Sequence, residues 1–436
     1  GVYFTFDVNK KKNIQYKIGV SYVSVENARE NLKAENTGWD FLQIQNQAES
    51  KWNHYLGKIE VEGTNPDRAT QFYTHLYRSF IHPNVCSDVN GEYMGADFRV
   101  HKSRSKHYTS FSNWDTYRTQ IQLLSILDPE VASDIVISHQ LFAEEAGGAF
   151  PRWVMANIET GVMQGDPTPI LISNAYAFGA RNYDPKPIFK TMRKGAEEPG
   201  AMSQEVEARP GLKQYLDKGY YNASIQLEYT SADFAIAQFA LHAVGDEFAS
   251  WRYFHFARSW KNLYNPETGW LQSRNPDGSW KPLTEDFRES TYKNYFWMVP
   301  YDIAGLIEII GGKAAAEKRL DEFFTRLDAG YNDAWFASGN EPSFHIPWIY
   351  NWVGTPYKAQ EIINRVLNEQ YSSKIDGLPG NDDLGTMGAW YVFACIGLYP
   401  EIPGVGGFTV NTPIFSSVKV HLKKGDMVIK GGSEKN

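Results

Sequence analysis

The chain has 436 residues, 42% of them hydrophobic, and a formal net charge of −8. That is enough apolar material for a sizeable core and excludes a disordered chain. The acidic balance leaves no basic surface for phosphate contacts, which excludes nucleic acid as the expected partner, and no apolar run approaches the roughly 20 residues of a membrane span.

Residues 16–24 alternate apolar and polar side chains, the pattern of a half-buried strand. They read as the last strand of a sheet begun upstream. Residues 26–36 are polar and helix-prone, a plausible linker. Residues 39–59 read as a longer helix, with Phe41, Ile44, Ala48, Trp52 and Tyr55 on one stripe. Helical segments then dominate. The spacing predicts them over 67–82, 116–127, 129–147, 169–179, 187–196, 229–243, 246–263, 297–310, 312–327, 346–351, 355–371 and 388–398. Loops rich in Gly, Pro, Asn and Asp separate them. About a dozen helices in pairs fit a toroid of α-hairpins as well as an irregular bundle. After Pro403 the pattern returns to strands, over 408–410, 417–422 and 427–430.

Cys86 and Cys395 are the only cysteines, with neither a metal pattern nor a disulfide framework. Aromatic residues make up 15%, with 13 Trp and 26 Tyr. A large core accounts for most of them. The remainder tilts towards carbohydrate, since aromatic faces stack on the apolar C–H faces of sugar rings.

Two acidic elements stand out. In Gly380-Asn381-Asp382-Asp383-Leu384-Gly385, two carboxylates sit between glycines just before a helical run. A helix start favours negative charge, so an acid here is expected to stay ionised, as a base requires. An ordinary N-cap reads the same way from spacing alone. In Glu285-Asp286-Phe287-Arg288-Glu289, Glu289 leads into a run of Tyr, Phe and Trp. Desolvation against aromatic walls would favour its protonated form, while a surface pair with Arg288 or Lys293 is the plainer alternative. Together the elements offer the division that glycoside hydrolysis needs: one protonated carboxyl for the leaving oxygen and one carboxylate for water or direct attack.

A third element is Ser112-Asn113-Trp114-Asp115-Thr116-Tyr117-Arg118. Asp115 can bridge vicinal hydroxyls, Arg118 can donate to one, and Trp114 can floor a sugar ring. A cap and a surface pair are the alternative. In Gly339-Asn340-Glu341-Pro342-Ser343-Phe344-His345, Asn340 and Glu341 are hard oxygen donors suited to Ca²⁺. The loops 151–153 and 160–166, with Trp153, either line a pocket or turn the chain. GxGxxG, Walker A, HExxH and GxSxG patterns are absent. Asn222-Ala223-Ser224 is a formal glycosylation sequon.

These elements, in this order, resemble glycoside hydrolase family 92, the calcium-dependent exo-acting α-mannosidases. The resemblance also rests on residues 21–24 and 72–78 and covers nearly the whole chain. It implies a mainly α fold. The expected parts are the end of an N-terminal β-sandwich (1–25, most of it absent), a helical linker (26–63), an (α/α)₆ toroid (64–403) and C-terminal β-strands (404–436). It further implies inverting hydrolysis of terminal α-linked mannose, with Glu289 as general acid and Asp383, or less well Asp382, as general base. Trp114, Asp115, Arg118, Trp153 and His345 are the expected sugar contacts, and Glu341 and Asn340 the expected Ca²⁺ ligands. Mannose-bearing glycans or glycoproteins would be the partners and the outside of the cell or a periplasm the location. A separate chain carrying the missing sandwich stays open. The segment between Leu320 and Gly339 is short compared with many α-1,2-active members, which leaves α-1,3, α-1,4 and α-1,6 linkages open. The competing expectations are another (α/α)₆ carbohydrate enzyme, such as a glucoamylase-like hydrolase or a polysaccharide lyase, and an inactive glycan-binding protein.

Overall fold

A computed structural model describes residues 2–7, 9, 12–63 and 65–432. Gly1, Thr64 and 433–436, at the expected domain boundaries, lie outside the described residues. Two helices lead in, α1 (Val25–Glu35) and α2 (Phe41–Leu56). The next stretch contains α3 (Pro66–Ser79), α4 (Asn113–Thr116), α5 (Gln120–Leu127), α6 (Pro129–Glu145), α7 (Pro167–Ala177) and α8 (Pro185–Glu197). Then come α9 (Leu212–Lys218), α10 (Ala223–Phe239), α11 (Glu247–Ala257), α12 (Tyr292–Tyr295) and α13 (Ile303–Ile309). The chain of helices ends with α14 (Lys313–Phe323), α15 (Ile349–Val353), α16 (Pro356–Glu369) and α17 (Thr386–Ile396).

Burial sorts these helices into two rings. Every residue of α17 is buried, as are nearly all of α5, α7 and α10. They show no exposed polar stripe, and the polar side chains they bury, such as Gln120, Glu228 and Asp233, are hydrogen-bonded within the fold. By contrast α3, α8, α14 and α16 bury only one stripe. In chain order the segments alternate outside and inside six times: α3 and α5, α6 and α7, α8 and α10, α11 and α12, α14 and α15, α16 and α17. The fold is therefore the expected (α/α)₆ toroid. Much of the aromatic surplus fills its core, where Trp114, Trp260, Trp297, Trp348 and Trp390 are among the largest fully buried side chains.

The ring closes where α17 packs on α3. Glycines permit the approach. A Cβ on Gly388 would lie 2.8 Å from the His75 carbonyl oxygen, and one on Gly385 would lie 2.8 Å from the Ser79 Cα. A second closure is a three-stranded antiparallel sheet, in which Ile59–Glu62 pairs with Ser417–Leu422 and that strand with Gly425–Lys430. The segment expected as linker is thus hydrogen-bonded to the C-terminal strands. Its four strand residues are too few to show a period.

Two expectations change. Residues 16–24 form no strand, and Tyr16, Ile18, Val20 and Tyr22 are exposed. A strand needs a partner ladder, and no described segment supplies one. The helix expected over 297–310 begins only at Ile303. Pro300 disfavours helical geometry in the residue before it, so 294–300 forms a buried, mostly non-helical piece of the inner wall. On α2 the stripe is only half covered, by Trp52 against Tyr77 and Tyr55 against Phe80.

Replacing Gly388 by Val should overpack the closure between α3 and α17. We expect a loss of about 1–3 kcal/mol, measured as a lower urea midpoint. A midpoint equal to the parent's would show that the contact yields freely.

Candidate active site

The loops at one end of the inner helices bring the acidic elements together. Two of these loops touch backbone to backbone. A Cβ on Gly339 would meet the Pro379 carbonyl oxygen at 2.5 Å, and one on Gly380 would meet the Gly339 carbonyl oxygen at 2.6 Å. No side chain fits at either position, and the contact sets Glu341 beside Asp383.

After Gly380 the chain turns through three consecutive left-handed residues, Asp383 (φ 45°), Leu384 (φ 57°) and Gly385 (φ 90°). This turn gives the adjacent carboxylates different tasks. Asp382 accepts from the Gly388 N–H at 2.9 Å, and its carbonyl takes the Thr386 and Met387 N–H groups. It caps α17. Asp383 is turned away into a cluster with Asp115 and Glu341, where one carboxylate oxygen from each lies within 4.8 Å of the others.

The cluster is electrostatically strained. Burial first, and then the charge of Asp383 on Asp115 and of Asp115 and Asp383 on Glu341, push Asp115 and Glu341 well above the ordinary carboxylate range. Asp383 is raised by burial and by Asp382 and Glu289, while a hydrogen bond with Glu341 pulls it back. The ionised acid expected before the helix is therefore disfavoured here, because burial, and after it the neighbouring carboxylates, outweigh the helix start. Asp115 Oδ2 accepts from Ser112 Oγ, yet Asp115 Oδ1 and Glu341 Oε1 are buried without a hydrogen-bond partner among the described residues. Converging hard oxygens, two of them orphaned, fit a divalent cation of the Ca²⁺ type.

Glu289 is half-buried, rather than enclosed by aromatic walls, and lies near enough to Asp383 to raise its carboxyl. Its backbone is also left-handed, at φ 48°. Such conformations cost about 1–3 kcal/mol each and persist where the surroundings enforce them.

The other expected site residues divide. Trp153 pairs with Ser112 across two short strands, which places its ring beside Asp115 and favours the ionised form there. Asp115, expected at sugar hydroxyls, belongs to the carboxylate cluster. Trp114 is only 1% exposed, so it offers almost no face to a sugar; the Arg118 guanidinium lies 4.8 Å from its ring centre. Arg118 is committed to a buried ion pair with Glu228 at 3.0 Å, and Tyr117 Oη donates to the same carboxylate. His345 is buried, with Nε2 donating to the Trp297 carbonyl at 2.7 Å; burial holds it neutral, at about 4. It lines a narrow cavity with Arg118 and Glu341. Asn340 Nδ2 donates to the Glu289 carbonyl.

The sequence reading missed Tyr331, whose phenol is raised by burial and then by Glu289, Glu341, Asp383 and Asp115. It is half exposed, in a loop with no motif to mark it. It also missed Ser112 and Glu228, which hold Asp115 and Arg118 and give no sign of it in their spacing.

A sequence model of the glycosyl hydrolase family 92 catalytic domain matches residues 27–436. The chain belongs to that family. A family 92 α-mannosidase of Bacteroides thetaiotaomicron superposes with a TM-score of 0.86 at 29% identity, over 94% of this chain and 56% of that one. A family 92 inverting mannosidase of the same organism gives 0.84 at 29% identity, over 94% and 60%. An uncharacterized secreted glycosidase of Arthroderma benhamiae is 26% identical over 96% of this chain and 55% of its own length. The chain thus spans little more than half the length of these family 92 relatives.

A raised carboxyl holds its proton in the folded state at a pH where the unfolded chain has lost it. Stability in chelator should therefore fall as pH rises above the ordinary carboxylate range, about 4. Added Ca²⁺ should remove that fall. Asp115→Asn should raise the chelator midpoint at pH 8 and abolish the Ca²⁺ response. A flat midpoint between pH 5 and pH 8 in chelator would contradict the crowding.

Proposed function

We propose that the chain carries the catalytic machinery of an exo-acting, inverting, Ca²⁺-dependent α-mannosidase that removes terminal mannose from glycans. The observation that supports this most is the pairing of Glu289 with Asp383. Both are non-glycine residues in left-handed backbone; Asp383 belongs to the carboxylate cluster, and Glu289 lies near enough to act on its charge.

Glu289 protonates the leaving glycosidic oxygen. Its partial exposure suits this step, because the leaving group must reach it from the open side. Asp383 takes the proton from the attacking water. Asp382 is the weaker candidate, since its carboxylate already caps α17. Inversion requires room for that water, with the carboxyls about 6.5–9.5 Å apart. Asp115 and Glu341 would hold the ion through their orphaned oxygens. When bound, Ca²⁺ supplies a hard Lewis acid for vicinal sugar hydroxyls. Trp153 flanks the sugar beside Asp115, while Arg118 and His345 brace the floor. The names of the bacterial relatives support mannose as the sugar, and that of the fungal relative supports a secreted setting.

Glu289→Gln should lower turnover about 10²–10⁴-fold on alkyl mannosides and mannobioses, and far less on dinitrophenyl mannoside, whose leaving group needs no proton. Equal losses on both would remove Glu289 as the acid. Proton NMR of mannobiose hydrolysis should show β-mannose first, with Ca²⁺ and not with chelator. α-Mannose first would overturn inversion, and unchanged activity in chelator would overturn the metal requirement.

A further inference from the structure

The loop carrying Glu289 contains two non-glycine residues in left-handed backbone, Asp286 (φ 67°) and Glu289 (φ 48°). At each, a side chain from another element holds the carbonyl. Ser224 Oγ donates to the Asp286 carbonyl at 2.7 Å. Asn340 Nδ2 donates to the Glu289 carbonyl, also at 2.7 Å. A left-handed residue without glycine's freedom reverts unless its carbonyl is fixed in the direction the conformation demands. These two donors supply that fixation.

The donors differ in what stands behind them. Ser224 sits in the first turn of the buried helix α10, a rigid support. Asn340 is only 3% exposed and immediately precedes Glu341. Its carbonyl accepts from the Ser343 N–H at 3.1 Å, within the tight turn that carries Glu341. The Asn340 amide therefore cannot shift without Glu341, nor Glu341 without the Asn340 amide. A second tether runs between the same two stretches, from Asn294 Nδ2 to the Trp335 carbonyl at 2.7 Å.

We propose that Asn340 is a positioning residue that transmits the placement of Glu341 to the backbone of Glu289, so that the loop holding the ion also aims the general acid. The inference rests on the mannosidase reading. It assigns the ion a second consequence beyond contact with sugar: ordering of the acid loop. Asn340, expected as a metal ligand, also presents its amide nitrogen to the backbone carbonyl of Glu289.

The test compares Asn340→Ala and Asn340→Asp with the parent protein in four measurements. Calcium titration by calorimetry should give a dissociation constant within about threefold of the parent for Asn340→Ala. Hydrolysis of methyl α-mannoside should fall about 10²-fold, the typical effect of a misplaced catalytic group, through kcat rather than KM. Hydrolysis of dinitrophenyl mannoside should change by less than about fivefold. Amide hydrogen exchange over 286–291 should be slowed by Ca²⁺ in the parent and unaffected by it in both variants. Asn340→Asp keeps the shape without the donor and should behave as Asn340→Ala does. Loss of calcium affinity in parallel with activity would overturn the proposal in favour of a ligand role. So would equal losses on both substrates, or exchange over 286–291 that ignores Ca²⁺ in the parent. A parent protein inactive on every α-mannoside would refute the mannosidase reading instead, while the exchange measurement would still report on the coupling between the loops.

Discussion

Three carboxylates forced together are the constraint on which the site depends. Asp115, Glu341 and Asp383 come from three separate stretches of chain and meet within 4.8 Å. Left alone, like charges at that distance repel, and burial strengthens the repulsion by weakening the solvent's screening. The surrounding structure must therefore hold them by other means. It does so with backbone packed on backbone at Gly339 and Gly380, with Ser112 on Asp115, and with a left-handed turn that separates Asp383 from Asp382. A cation seated among the three carboxylates would relieve that repulsion.

The toroid supplies the rigidity this needs. Its inner helices are enclosed on every side, so their ends are fixed points from which short loops project. Elsewhere in the core the buried charges are paired. Arg118 pairs with Glu228, and Arg209 bridges Asp166 at 2.8 Å and Asp233 at 2.7 Å. Breaking a buried pair leaves an uncompensated charge, typically at a cost of about 3–5 kcal/mol. Paired charges elsewhere in the core set off the carboxylates of the cluster, which form no ion pair among the described residues.

Much of this was legible in the sequence, for identifiable reasons. Helices such as α6, α8, α16 and α17 have clear periods and strong punctuation, and the structure places them within a few residues of expectation. The strand 417–422 was read to the residue. The acidic motifs lie in loops that the fold brings together. The division of labour inside them was hidden, because it depends on backbone conformation and three-dimensional neighbours. Nothing in Asp382-Asp383 says which carboxylate caps the helix. Nothing in Trp114 and Arg118 reveals a pair buried against Glu228, more than a hundred residues away. The alternation in 16–24 was real as a pattern, but a strand is a property of two segments, and the pattern describes one.

The sheet that joins Ile59–Glu62 to Ser417–Leu422 bears on how the protein is made. These partners are separated by almost the whole chain, as are α3 and α17. A ribosome releases the first half of the ring long before the second exists. The apolar faces of α3 and α5 must then wait in the company of incomplete neighbours, at risk of wrong pairings. The ring closes only when α17 and the strand 417–422 have emerged, so the contact that seals it forms after most of its helices already exist.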